Sequence, residues 1–384
     1  MSGDSYTEVT SQSWGSRIGG AFKGILLGII LFFVAFPFLF WNEGRAVKTY
    51  KTLQEGGKTV IEVAADSVDA ANEGKLIHVS GLADTEATLV DPDFGVSATA
   101  LRLNRKVEMY QWQESKKSNT KKKLGGGTET VTEYTYSKAW SSRLVNAENF
   151  KKPEGHQNPD SMLFDSTEQI ADQVDLGAFT LSPSLVERIS EFEPLAVPGD
   201  TAVPAGLEDT AMLYKSGFYI GTNPASPQVG DLRVTFEVVK PLEVSVIAKQ
   251  RGTTFAPYTT KTRGTLELLQ TGVHTADEMI QMAQDSNKML TWFLRLVGFI
   301  LMLGGLNLVF KPLSVVADVL PIAGTIVGAG TGLISFLVAV LGSLITIAIA
   351  WIVYRPLLGI VLIVIAVGVA VALKGKLKSA KVAA

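Results

Sequence analysis

The placement of apolar residues constrains this chain more than any motif in it. One apolar run, Ile25 to Phe40, lies near the start, and three more crowd the stretch from Leu290 to Leu373. The segment between them is polar and rich in Thr and Val. A run of about 18–20 apolar residues crosses a ~30 Å hydrocarbon core as a helix, which satisfies its own backbone hydrogen bonds where no water can. The expected class is an α+β membrane protein. Four transmembrane helices, one N-terminal and three C-terminal, flank a mainly β extramembrane domain.

Composition narrows the function classes. A formal charge of -2 over 384 residues gives no basic face for nucleic acid. Cysteine is absent, so disulfides, thiolate nucleophiles and cysteine metal sites are excluded. The first apolar run leaves through Phe38-Leu39-Phe40-Trp41-Asn42-Glu43 rather than a small-residue cleavage site, which marks an uncleaved anchor.

Boundaries follow from these shifts. Residues 1–17 read as a flexible cytoplasmic tail and 18–41 as the first span. Residues 42–274 form the β-rich periplasmic or lumenal domain, with a candidate sub-boundary near 194–206 where Pro and Gly cluster. Thr275, Asp277 and Glu278 suit a helix start, so 275–310 reads as a stalk helix continuing into the second span. Residues 311–330, which contain Lys311, Pro312, Asp318 and Pro321, read as a cytoplasmic or re-entrant loop. The third and fourth spans are 331–354 and 357–373, and 374–384 is a basic cytoplasmic tail. Lys374, Lys376, Lys378 and Lys381 set the orientation by the positive-inside rule, against Arg45, Lys48 and Lys51. The Lys116–Gly127 loop, which closes a long β-hairpin, and residues 311–330 are thus expected on opposite faces of the membrane.

Within the domain, residues 59–63, 75–79, 101–113, 130–136, 231–239 and 243–248 have strand composition. Ser182-Pro183 opens a short helix. A faint echo links Gly74–Val79 with Gly230–Val234, as two related β-units would give.

Chemical motifs are lacking. His78, His156 and His274 are remote from one another and lack ligand spacing, so no metal is expected. Asp93-Phe94-Gly95 has no accompanying kinase elements, Gly125-Gly126-Gly127 lacks a P-loop ending, and no G-x-S-x-G elbow occurs. No catalytic residue, cofactor or metal is assigned, and the chain is read as a non-enzyme. The spans carry more. Gly20, Gly24 and Gly28, and again Gly324, Gly328 and Gly332, recur every fourth residue, a spacing that lets helices approach closely. They serve packing within the chain or self-association, and Asn307 and Thr331 could add hydrogen bonds between helices. Trp41, Arg45, Arg295 and Arg355 are candidate membrane-interface residues, with Arg295 expected to snorkel out of the second span.

A series of short motifs then points further. Asn42-Glu43-Gly44-Arg45 follows the first span. Residues 72–81 (NEGKLIHVSG), 91–96 (DPDFGV) and 107–112 (VEMYQW) come next. Then follow 155–159 (GHQNP), 229–234 (VGDLRV), 247–252 (IAKQRG) and 354–357 (YRPL). In that order they resemble the LUMA (transmembrane protein 43) family over nearly the whole chain from the first span onward. The Ala- and Gly-rich character suggests a bacterial member. The resemblance implies one N-terminal span, a lumenal domain and three C-terminal spans. It also implies self-association and a role in organising membranes, and it carries no catalytic residues. The function expected is an integral membrane scaffold in the inner membrane of a bacterium, or an endomembrane or nuclear envelope if eukaryotic. Its expected partners are membrane lipids, other membrane proteins and copies of itself, as a homo-oligomer. The alternatives are a membrane-surface lipid or small-ligand sensor signalling through the stalk helix and, more distantly, a membrane-bound hydrolase.

Overall fold

The structure is a computed structural model that describes residues 4–199 and 201–356. Its elements begin with β1 (Asp4–Gln12), α1 (Trp14–Thr59), β2 (Ile61–Glu62), β3 (Leu76–Asp84), β4 (Thr88–Val90), β5 (Ser97–Thr99), β6 (Arg102–Lys122), β7 (Thr128–Ser141), β8 (Thr167–Ile170), β9 (Asp175–Leu176) and β10 (Phe179–Thr180). The one-turn helix α2 (Pro183–Val186) precedes β11 (Glu193–Leu195), β12 (Ala211–Tyr214), β13 (Gly217–Ile220), β14 (Leu232–Val239), β15 (Leu242–Arg251), β16 (Thr254–Ala256), β17 (Tyr258–Thr259), β18 (Thr265–Leu266) and β19 (Leu268–Thr271). Two long helices follow, α3 (Ala276–Ala317) and α4 (Pro321–Tyr354). The described chain divides into two compact units, one of residues 4–9, 55–119 and 131–280, the other of 10–54, 120–130 and 281–356.

The first unit is β-rich and has two cores. In one sheet β3, β15, β16, β10 and β9 pair in a closed ring, because β9 returns to β3. Closure leaves these strands no free edge. Val244, Val246 and Ala248 alternate along β15 and point inward with Ile77, Val79, Leu176 and Phe179. In the other sheet β14 pairs antiparallel with β6 from Leu232↔Met109 to Val239↔Arg102. The inward residues Leu103, Val107 and Met109 meet Val234, Phe236 and Phe218 there. The echoing segments at 74–79 and 230–234 lie in different sheets, as β3 and β14. The Pro- and Gly-rich stretch at 194–206 is not a boundary between compact units. β11 at its start pairs with β14, and both flanks belong to the β-rich unit.

The helices are longer than a bilayer needs. At 1.5 Å per residue, the roughly 20 residues that span a hydrocarbon core are fewer than half of the 46 in α1 or the 42 in α3. Among the described residues three helices, α1, α3 and α4, are long and apolar enough to cross a membrane. The expected fourth span, 357–373, and the basic tail, 374–384, lie outside the described residues.

Two segments depart from the sequence reading. Residues 4–12, read as a mobile tail, form β1 at the edge of β7. Almost all its side chains are exposed, so hydropathy gives no signal. What holds it is backbone pairing with charged and polar contacts: Lys151 Nζ donates to Glu8 at 2.6 Å, and Asp4 meets His156 at 2.9 Å. Residues 311–330, read as a loop, are helical except for 318–320. Pro321 occupies the first turn of α4, where its missing N–H costs nothing. Pro312 lies in the last turns of α3, where it removes one hydrogen bond near a fraying end.

The tip of the β6–β7 hairpin meets a segment that the sequence reading sets on the opposite face of the membrane. Gly125 N donates to Val319 O at 3.1 Å, Trp14 Nε1 donates to Val315 O at 2.8 Å, and Arg17 donates to Gly126 O. The hairpin tip, the first turn of α1 and the α3–α4 link therefore meet. Charge counting beside spans reports translocation bias and holds no information on which loops touch. In the cysteine-free chain, single cysteines at Leu124 and Leu320, 82% and 62% exposed, will react with a membrane-impermeant thiol reagent from the same side. Labelling from opposite sides would refute this contact.

Candidate functional site

Asn42-Glu43-Gly44-Arg45 forms a polar knot where α1, α3 and α4 converge. Glu43 is fully buried and sits in α1 among apolar helices, so its charge needs a partner. Arg295 of α3 supplies it in fork geometry, with Nε 2.6 Å from Oε1 and Nη2 2.9 Å from Oε2, and Trp351 Nε1 of α4 donates to Oε2 at 2.8 Å. The guanidinium lies over the rings of Trp292 and Trp351, which adds cation–π attraction. Where snorkelling was expected of Arg295, a carboxylate within reach answers its charge.

The other three residues of the motif complete the knot. Asn42 Nδ2 donates to Thr291 O at 3.1 Å, and Asn287 Nδ2 returns the link to Ala46 O at 3.0 Å. Arg45 donates to Asn287 Oδ1 and Thr291 Oγ1, both at 3.0 Å. Gly44 is required by contact. A Cβ there would come within 2.7 Å of the Tyr354 ring. Of the interface candidates, Arg45 and Arg295 are thus inside the knot, Arg355 stacks on Trp351, and Trp41 is exposed.

Beside the knot opens a cavity of about 870 Å³, lined by α1, α3 and the end of α4. Its walls include Val47, Tyr50, Trp292, Trp351 and Tyr354, with Lys51, Lys288, Arg295 and Arg355 among them and no acidic side chain.

The glycines divide by function. At Gly28 a Cβ would fall 2.6 Å from Gly305 O, so two backbones touch there. Gly24 lies in ordinary contact with Leu308 and Gly328 with Ser314, while Gly324 closes on Asp318. Gly20 and Gly332 have no neighbour within 4 Å among the described residues. The buried seam of α4 instead continues through Ser335, Ala339, Ser343, Thr346 and Ala350. Gly332 lies on that same face, five turns before Ala350, yet its surroundings are open among the described residues. Asn307 is exposed, and Thr331 donates to Gly328 O of its own helix.

At the hairpin tip, Asp318 receives Arg17 at 2.5 Å and Lys122 at 2.6 Å. Burial by itself would raise the Asp318 carboxyl, but the hydrogen bonds and charges of Lys122 and Arg17 outweigh it and hold the group below its usual range.

The remaining motifs are turn clamps in the β-rich unit. Asp91 accepts from Asp93 N, Phe94 N and the buried Arg105, which explains Asp-Pro-Asp-Phe-Gly without any metal. His156 stacks on Tyr136 at 4.0 Å and bridges Lys152 O to Asp4. Burial and the Glu114 carboxylate push the Tyr136 phenol up to about 12. Asn158 binds Trp112 N, Trp112 O and Val145 O. No group of acidic or histidine side chains among the described residues has the arrangement of a metal site.

One constellation escaped the sequence reading. Glu62, His78 and Ser80 align carboxylate, imidazole and hydroxyl, at 2.6 and 3.3 Å. The i, i+2 spacing of His78 and Ser80 on β3 puts both on one face, and this was the available signal. Ser80 Oγ also meets Ser245 Oγ at 2.7 Å and the His274 carbonyl at 3.4 Å, and Ser245 Oγ accepts from His274 N. The cluster ties β3 and β15 to the turn before α3, and the hydroxyl is committed to it. We assign it no hydrolytic role.

Removing Glu43 leaves Arg295 uncompensated, and Glu43→Ala will destabilise the protein by about 3–5 kcal/mol in detergent unfolding. Glu43→Met with Arg295→Met will recover most of that loss, and an additive double variant would refute the pairing. Because the Asp318 carboxyl is lowered in the folded state, its contribution is complete above the unfolded value near ~3.9 and disappears as pH falls through the folded one. Asp318→Asn will therefore lower thermal stability at pH 7, by about 1.5–3 kcal/mol, and flatten the acid limb of the stability profile.

Comparison with known proteins adds the family. The family described as Transmembrane protein 43 matches residues 109–356. Transmembrane protein 43 of Rattus norvegicus is 38% identical over 355 residues, covering 89% of this chain and 87% of the relative. The Homo sapiens protein of that name is 36% identical with the same coverage, and the Drosophila melanogaster homolog is 29% identical over 87% of this chain and 89% of its own length. No solved structure matches. With its apolar helices and these relatives, the chain is an integral membrane protein that belongs to the Transmembrane protein 43 (LUMA) family.

Proposed function

We propose that the chain is an integral membrane scaffold, a homo-oligomer whose β-rich unit recruits other membrane components. The observation that supports this reading is the division among the glycines. Gly28 and Gly324 are consumed by packing inside one chain, whereas Gly20 on α1 and Gly332 on α4 lie open among the described residues. In lipid, where apolar burial gives helices no drive to associate, open small-residue surfaces and backbone approach supply it. The polar clusters support the same reading. In each unit they hold elements together, as expected of a platform.

Cysteines placed at Gly20 and Gly332 will crosslink copies of the chain in native membranes. Gly332→Leu will abolish that product while changing stability by no more than about 0.5 kcal/mol. Gly28→Leu will cost about 1–3 kcal/mol through overpacking. A strictly monomeric protein at native density would overturn the oligomer.

A further inference from the structure

We infer that the cavity beside the Asn42–Arg45 knot is a binding site for one anionic phospholipid drawn from the surrounding membrane. Three features of the cavity carry this. The first is charge. Four cationic and no acidic side chains line it. Arg295 is neutralised by Glu43 and Lys288 pairs with Asp285 at 2.8 Å, but Lys51 and Arg355 have no ion pair among the described residues. An occupant that completes this site brings negative charge to Lys51 and Arg355.

The second feature is the apolar wall. Val47, Trp292 and Trp351 present a surface that a phosphate or sulfate ion would leave uncovered and an acyl chain or glycerol backbone would fill. The third is position. Residues 46–54 of α1 follow its apolar stretch, 284–295 of α3 straddle the start of its own, and 351–354 end α4 with Arg355 and Pro356 just beyond. All three segments thus lie at helix ends that carry Trp, Tyr, Lys and Arg, the residues that meet lipid headgroups. A volume of about 870 Å³ suits a phosphate, its glycerol and the first methylenes, within the roughly 300–1,000 Å³ of ordinary ligand sites. A zwitterionic lipid would bring its own cation to a wall already positive. The Glu43–Arg295 pair keeps a guanidinium from competing for the phosphate and fixes the rings of Trp292 and Trp351 as the floor.

The test uses the full-length protein in nanodiscs of phosphatidylcholine with or without phosphatidylglycerol, read by native mass spectrometry after release into detergent. The expected result is one retained phosphatidylglycerol per chain and no retained phosphatidylcholine. Lys51→Gln with Arg355→Gln will weaken retention roughly thirtyfold, from the attraction of two interfacial cations to an anionic lipid. Lys48→Gln removes one charge on the same helix outside the cavity and will leave retention unchanged, which separates a built site from general surface charge. Equal loss in Lys48→Gln overturns the site. So does a wild-type protein that retains no lipid, as when the chain's own residues 357–373 occupy the cavity. Displacement of the lipid by millimolar inorganic phosphate shows a soluble-anion site and overturns the assignment to lipid. A thermal melt of each variant without anionic lipid confirms folding, and Lys51→Arg with Arg355→Lys provides a charge-conserving check that must restore retention.

Discussion

A carboxylate carried into the interior of a helical membrane bundle demands a cation, and Glu43 imposes that demand on everything around it. Desolvating either charge costs several kcal/mol, which their attraction repays only when the remaining hydrogen-bonding sites are also filled. Arg295 fills two and Trp351 a third, so α1, α3 and α4 have one mutual register in which Glu43 is satisfied. The reciprocal amide links, Asn42 to Thr291 and Asn287 to Ala46, lock the first two helices at the same level. Small residues then allow the approach: Gly28 lies on Gly305, and Gly298 lies beneath Leu39. Apolar packing follows as Ala35, Leu39, Met302, Leu306 and Ala339 close over the crossing.

The layout of this fold was legible where a pattern repeats locally. Apolar runs located α1, α3 and α4, and strand composition located β14 and β15. The short motifs were legible as a family signature, yet their roles were not. Each is a polar turn whose partner lies far away in sequence, as Asp91 with Arg105 or Asn158 with Trp112 shows. Arg295 illustrates the difficulty most directly. Its charge was visible, but the Glu43 that neutralises it lies 252 positions earlier. The candidate cavity was invisible for the same reason, since three distant segments make its wall. The glycine repeat misled in part because spacing in sequence marks a helix face, whereas the neighbour that fills that face is not marked.

The β-rich unit shows how readily a structural network imitates chemistry. Glu62, His78 and Ser80 reproduce the atom order of a charge relay, and His156 faces an acceptor at each ring nitrogen. Every partner in these networks is another part of the same scaffold. Strands with polar residues on a covered face must satisfy those groups internally, and networks of this kind are the result.

The edge strand β1 has a consequence for how the protein is made. Of the described elements it is the first to leave the ribosome, yet its partner β7 starts only at Thr128. At about 5–20 residues per second, residues 4–12 wait on the order of ten seconds for a mate. During that interval α1, with its long apolar stretch, has already emerged and can engage the membrane. The segment 4–12 is then an unpaired edge, open to any factor that captures nascent strands. Completion of the sheet, rather than its beginning, is the step that brings residues 4–12 into the fold.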